Sequence, residues 1–371
     1  MFAVLLVLQA AVSPVLGQSL EQRLQLRLDS LHQAGRFIGA TAAVVLADGR
    51  LISLASGQSD TARRVPLRPD HRMLAGSTGK TFFAALAWQL ALEGRLPLDA
   101  PISRWLGGEA WFDSLPNARQ VTVRQLMNHT SGLVRYELNP RFLADLIATP
   151  DRAFSPVEEI RYLFGSQAAF AAGQGWDYSD TNYIVLGMIL EQITATPAYS
   201  EIRRRFLAPL GLAGTIPSDR RELPGLAQGY AGPSNPFGPF DAVVGDDGRF
   251  TINPQFEWAG GGFASTSADL ARWVRALYTG TVIDTAFLRH EVLRGTPAPM
   301  LGSNARYGLG VIIRDTPLGR SWGHSGFFPG YLTEMRWYPE HRMAIAVMIN
   351  QNRPGRGPGG LIADLAAEVL K

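Results

Sequence analysis

A serine and a lysine lie three residues apart in Ser77-Thr78-Gly79-Lys80, at the start of an apolar stretch that predicts a helix. Residues three apart share one face of a helix, so we expect the Ser77 hydroxyl beside the Lys80 amine. A serine becomes a good nucleophile when a neighbouring base takes its proton, and a buried lysine whose pKa is lowered by desolvation can be that base. The helix N-terminus further favours an oxyanion and disfavours an ammonium. The tetrad alone is more typical of a capping serine and a solvated lysine than of a catalytic pair.

Four further segments with polar and glycine-rich character stand at intervals after Ser77. They are residues 126–133 (LMNHTSGL), 175–183 (GWDYSDTNY), 258–270 (WAGGGFASTSADL) and 323–326 (GHSG). Other layouts fit less well, because the chain has no His-Glu-x-x-His motif and GHSGF lacks the last glycine of a nucleophile elbow. The triple glycine lacks the spacing of a phosphate loop, so a tight turn or close packing beneath the site suits it better.

With Ser-x-x-Lys and these segments in this order, the chain resembles the serine β-lactamase-related superfamily. The resemblance is to the branch of class C β-lactamases, D-alanyl-D-alanine carboxypeptidases, D-amino-acid peptidases and similar esterases, and it covers residues 20–370. It implies an α+β, β-lactamase/transpeptidase-like fold, in which a mixed, mostly antiparallel sheet is flanked by helices and carries an inserted helical lobe.

The resemblance also implies roles for individual residues. Ser77 would be the nucleophile and Lys80 its proton partner, and Tyr178 matches the tyrosine of the family's Tyr-x-Asn motif. A phenol and an amine both have ordinary pKa values near ~10, so Tyr178 can share protons with Lys80 and then deprotonate Ser77 or protonate the leaving group. The backbone N–H groups of Ser77 and Phe327 are the expected oxyanion hole.

The chain departs from the family pattern at two positions expected to bind substrate. Asp180 stands where the family usually has Asn, and an ionised carboxylate cannot donate to a substrate carbonyl, although it can hold Lys80 as an ammonium. This departure weakens the case for efficient β-lactam hydrolysis. His324-Ser325-Gly326 matches the third motif, on a strand where glycine lets a substrate backbone approach, but a histidine is mostly neutral at pH 7.

Composition narrows the function classes. The chain has 371 residues, of which 46% are hydrophobic and 18% charged, and its 35 basic and 32 acidic residues form no long like-charge block. This is ordinary for a globular protein and does not indicate a nucleic-acid partner. The absence of cysteine excludes disulfides, a thiol nucleophile and Cys-based metal sites. We therefore expect no cofactor and no metal, and a small-molecule or peptidoglycan-derived substrate.

The first 17 residues (MFAVLLVLQAAVSPVLG) predict an export signal, because they are apolar, uncharged, short for a membrane span and end in small residues. A basic residue, usual at the start of such a signal, is missing. The protein is expected to be periplasmic or secreted, or anchored in the membrane if the segment is retained. The hydrolase domain is predicted at 18–371, with an α/β lobe at 18–95 and 240–371 and a mainly helical lobe at 96–239.

Periodicity predicts the elements of this α+β pattern, in which antiparallel strands and helical blocks do not alternate regularly. The predicted helices are 20–34, 77–94, 123–128, 140–148, 156–164, 181–194, 199–207 and 361–370. The predicted strands are 40–47, 50–56, 307–314, 320–323, 331–338 and 342–350.

These features favour an exported, cofactor-free serine hydrolase that forms an acyl-enzyme on Ser77 and acts on esters or on D-amino-acid and peptide amides. Two alternatives remain, a class C-type β-lactamase and a catalytically silent, penicillin-binding-like recognition protein. His129 is predicted to be structural, and Phe327, Phe328 and Tyr331 would suit an apolar acyl or alcohol group.

Overall fold

The computed structural model describes residues 18–232, 235–238 and 240–371, and the predicted export signal at 1–17 lies outside them. The helices are α1 Leu20–Gln33, α2 Lys80–Leu92, α3 Ser103–Leu106, α4 Val123–Met127, α5 Pro140–Ala148, α6 Pro156–Arg161, α7 Thr181–Thr194, α8 Ala198–Ile202, α9 Ser267–Tyr278, α10 Thr285–Phe287 and α11 Pro358–Val369. The strands are β1 Gly39–Val45, β2 Leu51–Asp60, β3 Val65–Pro66, β4 Met73–Leu74, β5 Ile216–Pro217, β6 Phe263–Ser265, β7 Thr296–Pro297, β8 Ala305–Tyr307, β9 Ile312–Thr316, β10 Gly319–Phe328, β11 Tyr331–Tyr338 and β12 Met343–Ile349.

The main sheet joins strands from both ends of the chain. Its nine strands run in the order β3-β2-β1-β12-β11-β10-β9-β8-β7, and neighbouring strands are antiparallel. The two ends meet at β1 and β12, where Ala42 lies opposite Val347. All seven residues of β12 are buried. This continuous apolar run indicates that the centre of the sheet is covered on both faces.

Helices supply the two covering layers. On one face α1 and α11 pack together, with Leu24 and Leu28 in one apolar cluster with Leu361 and Leu365. On the other face α9 packs against β12 and β1, and α2 lies in the larger cluster with α4 and α7. Ten of the 13 residues of α2 are buried, which is why its sequence is apolar on nearly every side. The segment that enters α2 therefore lies between the sheet and the helical block.

The structure confirms most predicted elements and corrects others. The strand predicted at 320–323 continues as β10 to Phe328, and helix α9 was not predicted. Helices α5 and α7 begin and end at the predicted residues. Ser77, however, lies on a 3₁₀ turn, Gly76–Gly79, and α2 begins only at Lys80. Because residues three apart are eclipsed in 3₁₀ geometry, Ser77 and Lys80 still share a face. The strand predicted at 307–314 is two strands, because Gly310 adopts a φ of 80° and its nitrogen donates to the Met127 carbonyl.

None of the helices in the described part of the chain has both the length and the apolar character needed to cross a bilayer.

Candidate active site

Lys80 connects three of the predicted features of the site. Its Nζ donates to Ser77 Oγ at 2.9 Å, to Asp180 Oδ1 at 2.6 Å and to the Gly260 carbonyl. The side chain is fully buried. An ammonium has three N–H donors, and each of them has an acceptor here. The structure thus brings Ser77, Lys80 and Asp180 together from the 3₁₀ turn, the start of α2 and the start of α7.

The charge of Lys80 differs from the sequence expectation. Burial lowers the pKa of Lys80, but the Asp180 carboxylate outweighs burial and holds that pKa well above its usual value. The expectation that desolvation would lower the pKa of this amine was therefore wrong for the free protein. The alternative expectation, that Asp180 holds Lys80 as an ammonium, agrees with the 2.6 Å ion pair.

Tyr178 lies next to this ion pair. The ring centroid is 5.1 Å from Lys80 Nζ, and its buried hydroxyl has no hydrogen-bond partner among the described residues. Burial raises the pKa of Tyr178, although the Lys80 charge opposes the shift. The centroid of the His129 ring lies 4.2 Å from that of the tyrosine ring, and His129 Nδ1 accepts a hydrogen bond from the Ser179 backbone. His129 therefore supports Tyr178, in keeping with its predicted structural role.

Glycines let β10 run directly against the turn that carries Ser77. A Cβ on Gly326 would collide with the Ala75 carbonyl and lie 3.1 Å from the Ser77 nitrogen. Similarly, a Cβ on Gly76 would lie 2.7 Å from the Phe327 nitrogen. The two backbone nitrogens predicted to form the oxyanion hole thus belong to two segments in direct contact.

The glycine triplet packs beneath the same turn, as predicted. Gly261 has a φ of 145°, and a Cβ there would overlap the Gly76 carbonyl. A Cβ on Gly79 would in turn overlap the Gly261 backbone. Only glycine fits so close an approach, and this contact fixes the Gly260 carbonyl beside Lys80.

His324 makes both of its hydrogen bonds inside the protein. Nδ1 lies 2.6 Å from the Ser325 carbonyl, and Nε2 lies 2.8 Å from the Tyr307 hydroxyl. A carbonyl only accepts, so Nδ1 carries the proton. Burial, with the Lys80 charge, lowers the pKa of His324 to about 3, so Nε2 is unprotonated and accepts from Tyr307. His324 is neutral, and it lines the site cavity together with Ser325 and Gly326.

A cavity of about 530 Å³ opens beside Ser77. Tyr178 and Asp180 also contribute to its wall. Much of the remaining wall is apolar, from Leu138, Phe237, Phe256, Leu301, Phe327, Phe328 and Leu332. Phe327 is 43% exposed and Leu138 is 47% exposed, so apolar side chains reach the mouth of the cavity.

Sequence reasoning missed three acidic residues on this wall, Glu137, Glu257 and Glu334. Arg135, also on the wall, donates to Glu137 at 2.6 Å, and Arg336 pairs with Glu334 at 2.6 Å. Burial raises the pKa of Glu137 to about 7 and that of Glu257 to about 8. The cavity therefore combines an apolar mouth with an acidic interior.

Glu257 had a signal in the sequence, because it directly precedes the glycine-containing segment at 258–270. The next residue, Trp258, has a φ of 30° and a ψ of −112°, a conformation that costs energy for a residue with a side chain. This turn places Glu257 on the cavity wall and the Gly260 carbonyl beside Lys80. The glycines predicted a tight turn, but the pattern did not reveal which neighbouring side chain it would present.

Across the described residues, no three or more His, Cys, Asp or Glu side chains are grouped so that they could hold a metal ion.

Comparison with known proteins supports the fold and the family. The family model described as Beta-lactamase matches residues 21–368. Penicillin-binding protein 4* of Bacillus subtilis (strain 168) is 26% identical over 356 residues, which cover 90% of this chain and 72% of that protein. Esterase EstB of Burkholderia gladioli is 31% identical over 201 residues, which cover 52% of this chain and 50% of the esterase. The match to the esterase thus extends over about half of each protein.

A solved structure extends the likeness over nearly the whole chain. The D-amino acid amidase from Ochrobactrum anthropi SV3, complexed with L-phenylalanine amide, superposes with a TM-score of 0.80 at 26% identity. The superposition covers 95% of this chain and 98% of the amidase. It confirms the predicted β-lactamase/transpeptidase-like fold class.

Proposed function

Because the chain belongs to the Beta-lactamase family, we propose that it is a serine hydrolase in which Ser77 forms an acyl-enzyme that water then hydrolyses. The observation that carries this proposal is the hydrogen bond between Lys80 Nζ and Ser77 Oγ beside an open cavity. Its substrates are esters and D-amino-acid or peptide amides. The esterase and the D-amino acid amidase among its relatives support this substrate range.

Acylation needs a base, and an ammonium at Lys80 cannot accept a proton. Asp180 lies 2.6 Å from Lys80 Nζ and can take one proton from it. The resulting neutral amine then accepts the proton of Ser77 Oγ as that oxygen attacks the substrate carbonyl carbon. A poor base in the resting site thus becomes a competent one by a proton shift within an existing hydrogen bond.

Tyr178 is the proposed acid for the leaving group. As the C–O or C–N bond breaks, the leaving oxygen or nitrogen takes the Tyr178 proton. Lys80 restores that proton, and the proton on Asp180 returns to Lys80, so the three groups end in their starting states. Deacylation repeats the transfers with water in place of Ser77, and the backbone N–H groups of Ser77 and Phe327 stabilise the oxyanion in both steps.

Asp180 and His324 shape the specificity of this site. The Asp180 carboxylate is paired with Lys80 and can only accept hydrogen bonds. An amide side chain at this position would instead donate a hydrogen bond to the amide carbonyl of a β-lactam. His324 is neutral, so it offers no fixed charge to a β-lactam carboxylate. Losing such hydrogen bonds typically costs ~1–3 kcal/mol, or roughly one to two decades in rate. We therefore expect esters and D-amino-acid derivatives to be better substrates than penicillins and cephalosporins.

The N-terminal sequence supports a proposal about location. The apolar segment at 1–17 directs export, so the enzyme works in the periplasm or outside the cell on small or peptidoglycan-derived substrates. Intact-mass measurement of protein recovered from the export compartment tests this, because a mass lacking the first residues supports cleavage and a full-length mass supports a retained anchor.

A substrate panel tests the proposed function. We would compare kcat/KM for p-nitrophenyl butyrate, D-phenylalanine amide and nitrocefin, with Ser77→Ala as the matched inactive variant. The proposal expects Ser77-dependent turnover, with the ester well above nitrocefin. A nitrocefin value far above the others favours the β-lactamase alternative. No turnover together with no covalent adduct favours the silent recognition protein.

A further inference from the structure

Four carboxylates line the cavity beside Ser77, and three of them have a basic partner. Asp180 is paired with Lys80, Glu137 with Arg135, and Glu334 with Arg336. Glu257 is the fourth carboxylate on this wall. A buried carboxylate without a partner is costly, so such a group is kept neutral or awaits a cation.

The surroundings of Glu257 leave its carboxyl group free. Only 4% of the residue is exposed, and its Oε2 is buried with no hydrogen-bond partner among the described residues. Lys80 acts on Glu257 only through its charge, because its three donors go to Ser77, Asp180 and Gly260. Glu257 is thus a carboxyl group on the wall of the reaction cavity. Among the described residues, no basic side chain forms an ion pair with it.

We propose that Glu257 binds a positively charged group of the substrate, so that the enzyme selects acyl donors that carry an ammonium close to the scissile carbonyl. The inference rests on the proposed function, because it assigns a specificity residue to the same site. The ammonium donates to the Glu257 carboxylate while the carbonyl carbon lies at Ser77 Oγ. The apolar wall, which includes Phe256 and Phe328, takes the side chain of the same acyl group.

The protonation behaviour of Glu257 agrees with this role. Burial raises the pKa of Glu257 to about 8, and Asp180 and Glu137 add to the shift while Lys80 opposes it. At neutral pH, before a substrate binds, this carboxyl is therefore largely protonated. A bound ammonium supplies the missing positive charge, favours the carboxylate and releases the proton to solvent.

Two matched ligand pairs test the assignment. For turnover, D-phenylalanine p-nitroanilide is compared at pH 7 with 3-phenylpropionic acid p-nitroanilide, which lacks only the ammonium. For binding without chemistry, calorimetry on Ser77→Ala compares D-phenylalanine amide with 3-phenylpropionamide. A hydrogen bond to a charged group is typically worth ~1.5–3 kcal/mol. The kcat/KM in the first comparison and the association constant in the second should therefore each favour the ammonium ligand by about 10-fold or more. Glu257→Gln should remove that preference.

Glu159→Gln is the control. Glu159 is also buried and both of its carboxylate oxygens lack a hydrogen-bond partner among the described residues, but it is not on the cavity wall. This variant makes the same change from carboxyl to amide at a buried position and should keep the ammonium preference. Two results would overturn the assignment to Glu257. One is equal kcat/KM and equal affinity for the two ligands of each pair in the unchanged protein, and the other is an ammonium preference that persists in Glu257→Gln. Ser77-dependent hydrolysis of p-nitrophenyl butyrate in the same preparation would show that the proposed function itself still holds.

Discussion

At the residue scale, Asp180 decides the charge of Lys80. A lysine with no exposed surface would ordinarily lose its proton, but here the carboxylate at 2.6 Å keeps the ammonium. Lys80 and Asp180 therefore titrate as a coupled pair, and the acid–base chemistry of the site depends on both groups. Tyr178, buried beside the pair, completes a cluster of three groups through which one proton can pass.

We predict that Asp180→Asn destabilises the protein by about 3 kcal/mol at pH 7, because removing one partner leaves a buried charge without compensation. Without Asp180, burial would depress the pKa of Lys80 below its unfolded value. Stability of the variant should then recover as pH rises through that depressed pKa. Urea unfolding of both proteins at pH 7 and pH 9.5 measures this. An equal loss at both pH values would show that the carboxylate does not set the charge of Lys80.

We also predict that Lys80→Ala and Tyr178→Phe each lower kcat by at least ~100-fold, the usual scale for general acid–base groups. The double variant should lose little more than either single variant, because both groups would serve one proton path. Steady-state kinetics on p-nitrophenyl butyrate give all three values. Losses that multiply in the double variant would contradict a shared path.

At the scale of elements, the site depends on β10 lying against the Gly76–Gly79 turn. Gly326 permits this contact, since any larger residue would meet the Ala75 carbonyl. The strand itself continues past Gly323 without β9 beside it, so this part of its edge is available to the turn. The relative position of the Ser77 and Phe327 nitrogens thus depends on the close contacts that Gly326 and Gly76 allow.

We predict that Gly326→Ala lowers kcat for p-nitrophenyl butyrate by at least ~10-fold, because the added methyl group would push β10 away from the Ser77 turn and widen the oxyanion hole. The loss of stability should stay within the ~1–3 kcal/mol typical of overpacking. Gly108→Ala is the matched control, since a Cβ there meets nothing within 4 Å. Full activity in Gly326→Ala would contradict this role of the contact.

The elements differed in how well the sequence predicted them. Helix α7 was predicted to the residue, because its apolar run and the polar segment before it are both local signals. The division of β8 from β9 was missed, since it depends on the left-handed Gly310 and on its contact with Met127 across the fold. Glu257 was missed because the glycines after it indicate a turn but do not show that the unusual backbone of Trp258 presents the Glu257 side chain to the cavity.

At the scale of the whole molecule, Glu257 affects how stability depends on pH, because it is a buried carboxyl group with no ion-pair partner among the described residues. Burial raises the folded-state pKa of Glu257 to about 8, against an ordinary value of 4.5. The folded protein therefore binds more protons than the unfolded chain between these pH values. The contribution of Glu257 to stability is fully present below pH 4.5 and is lost as pH rises through about 8.

Glu257→Gln should accordingly be more stable than the unchanged protein at alkaline pH. We expect an advantage of at least about 1 kcal/mol at pH 9 relative to pH 5, since each pKa unit corresponds to about 1.4 kcal/mol. Urea unfolding curves at the two pH values give the comparison, with Glu334→Gln as a control whose carboxylate has arginine partners. A stability difference that does not change with pH would mean that Glu257 does not titrate in this range.

The central claim is that Ser77 becomes acylated, and intact-mass spectrometry followed by peptide mapping tests it most directly. After incubation with a fluorophosphonate or a slowly hydrolysed ester, we predict one covalent adduct on the peptide that contains Ser77. Ser77→Ala, with an unchanged circular dichroism spectrum, should show no adduct. An adduct that maps to Ser131 or Ser325, or that persists in Ser77→Ala, would contradict the account.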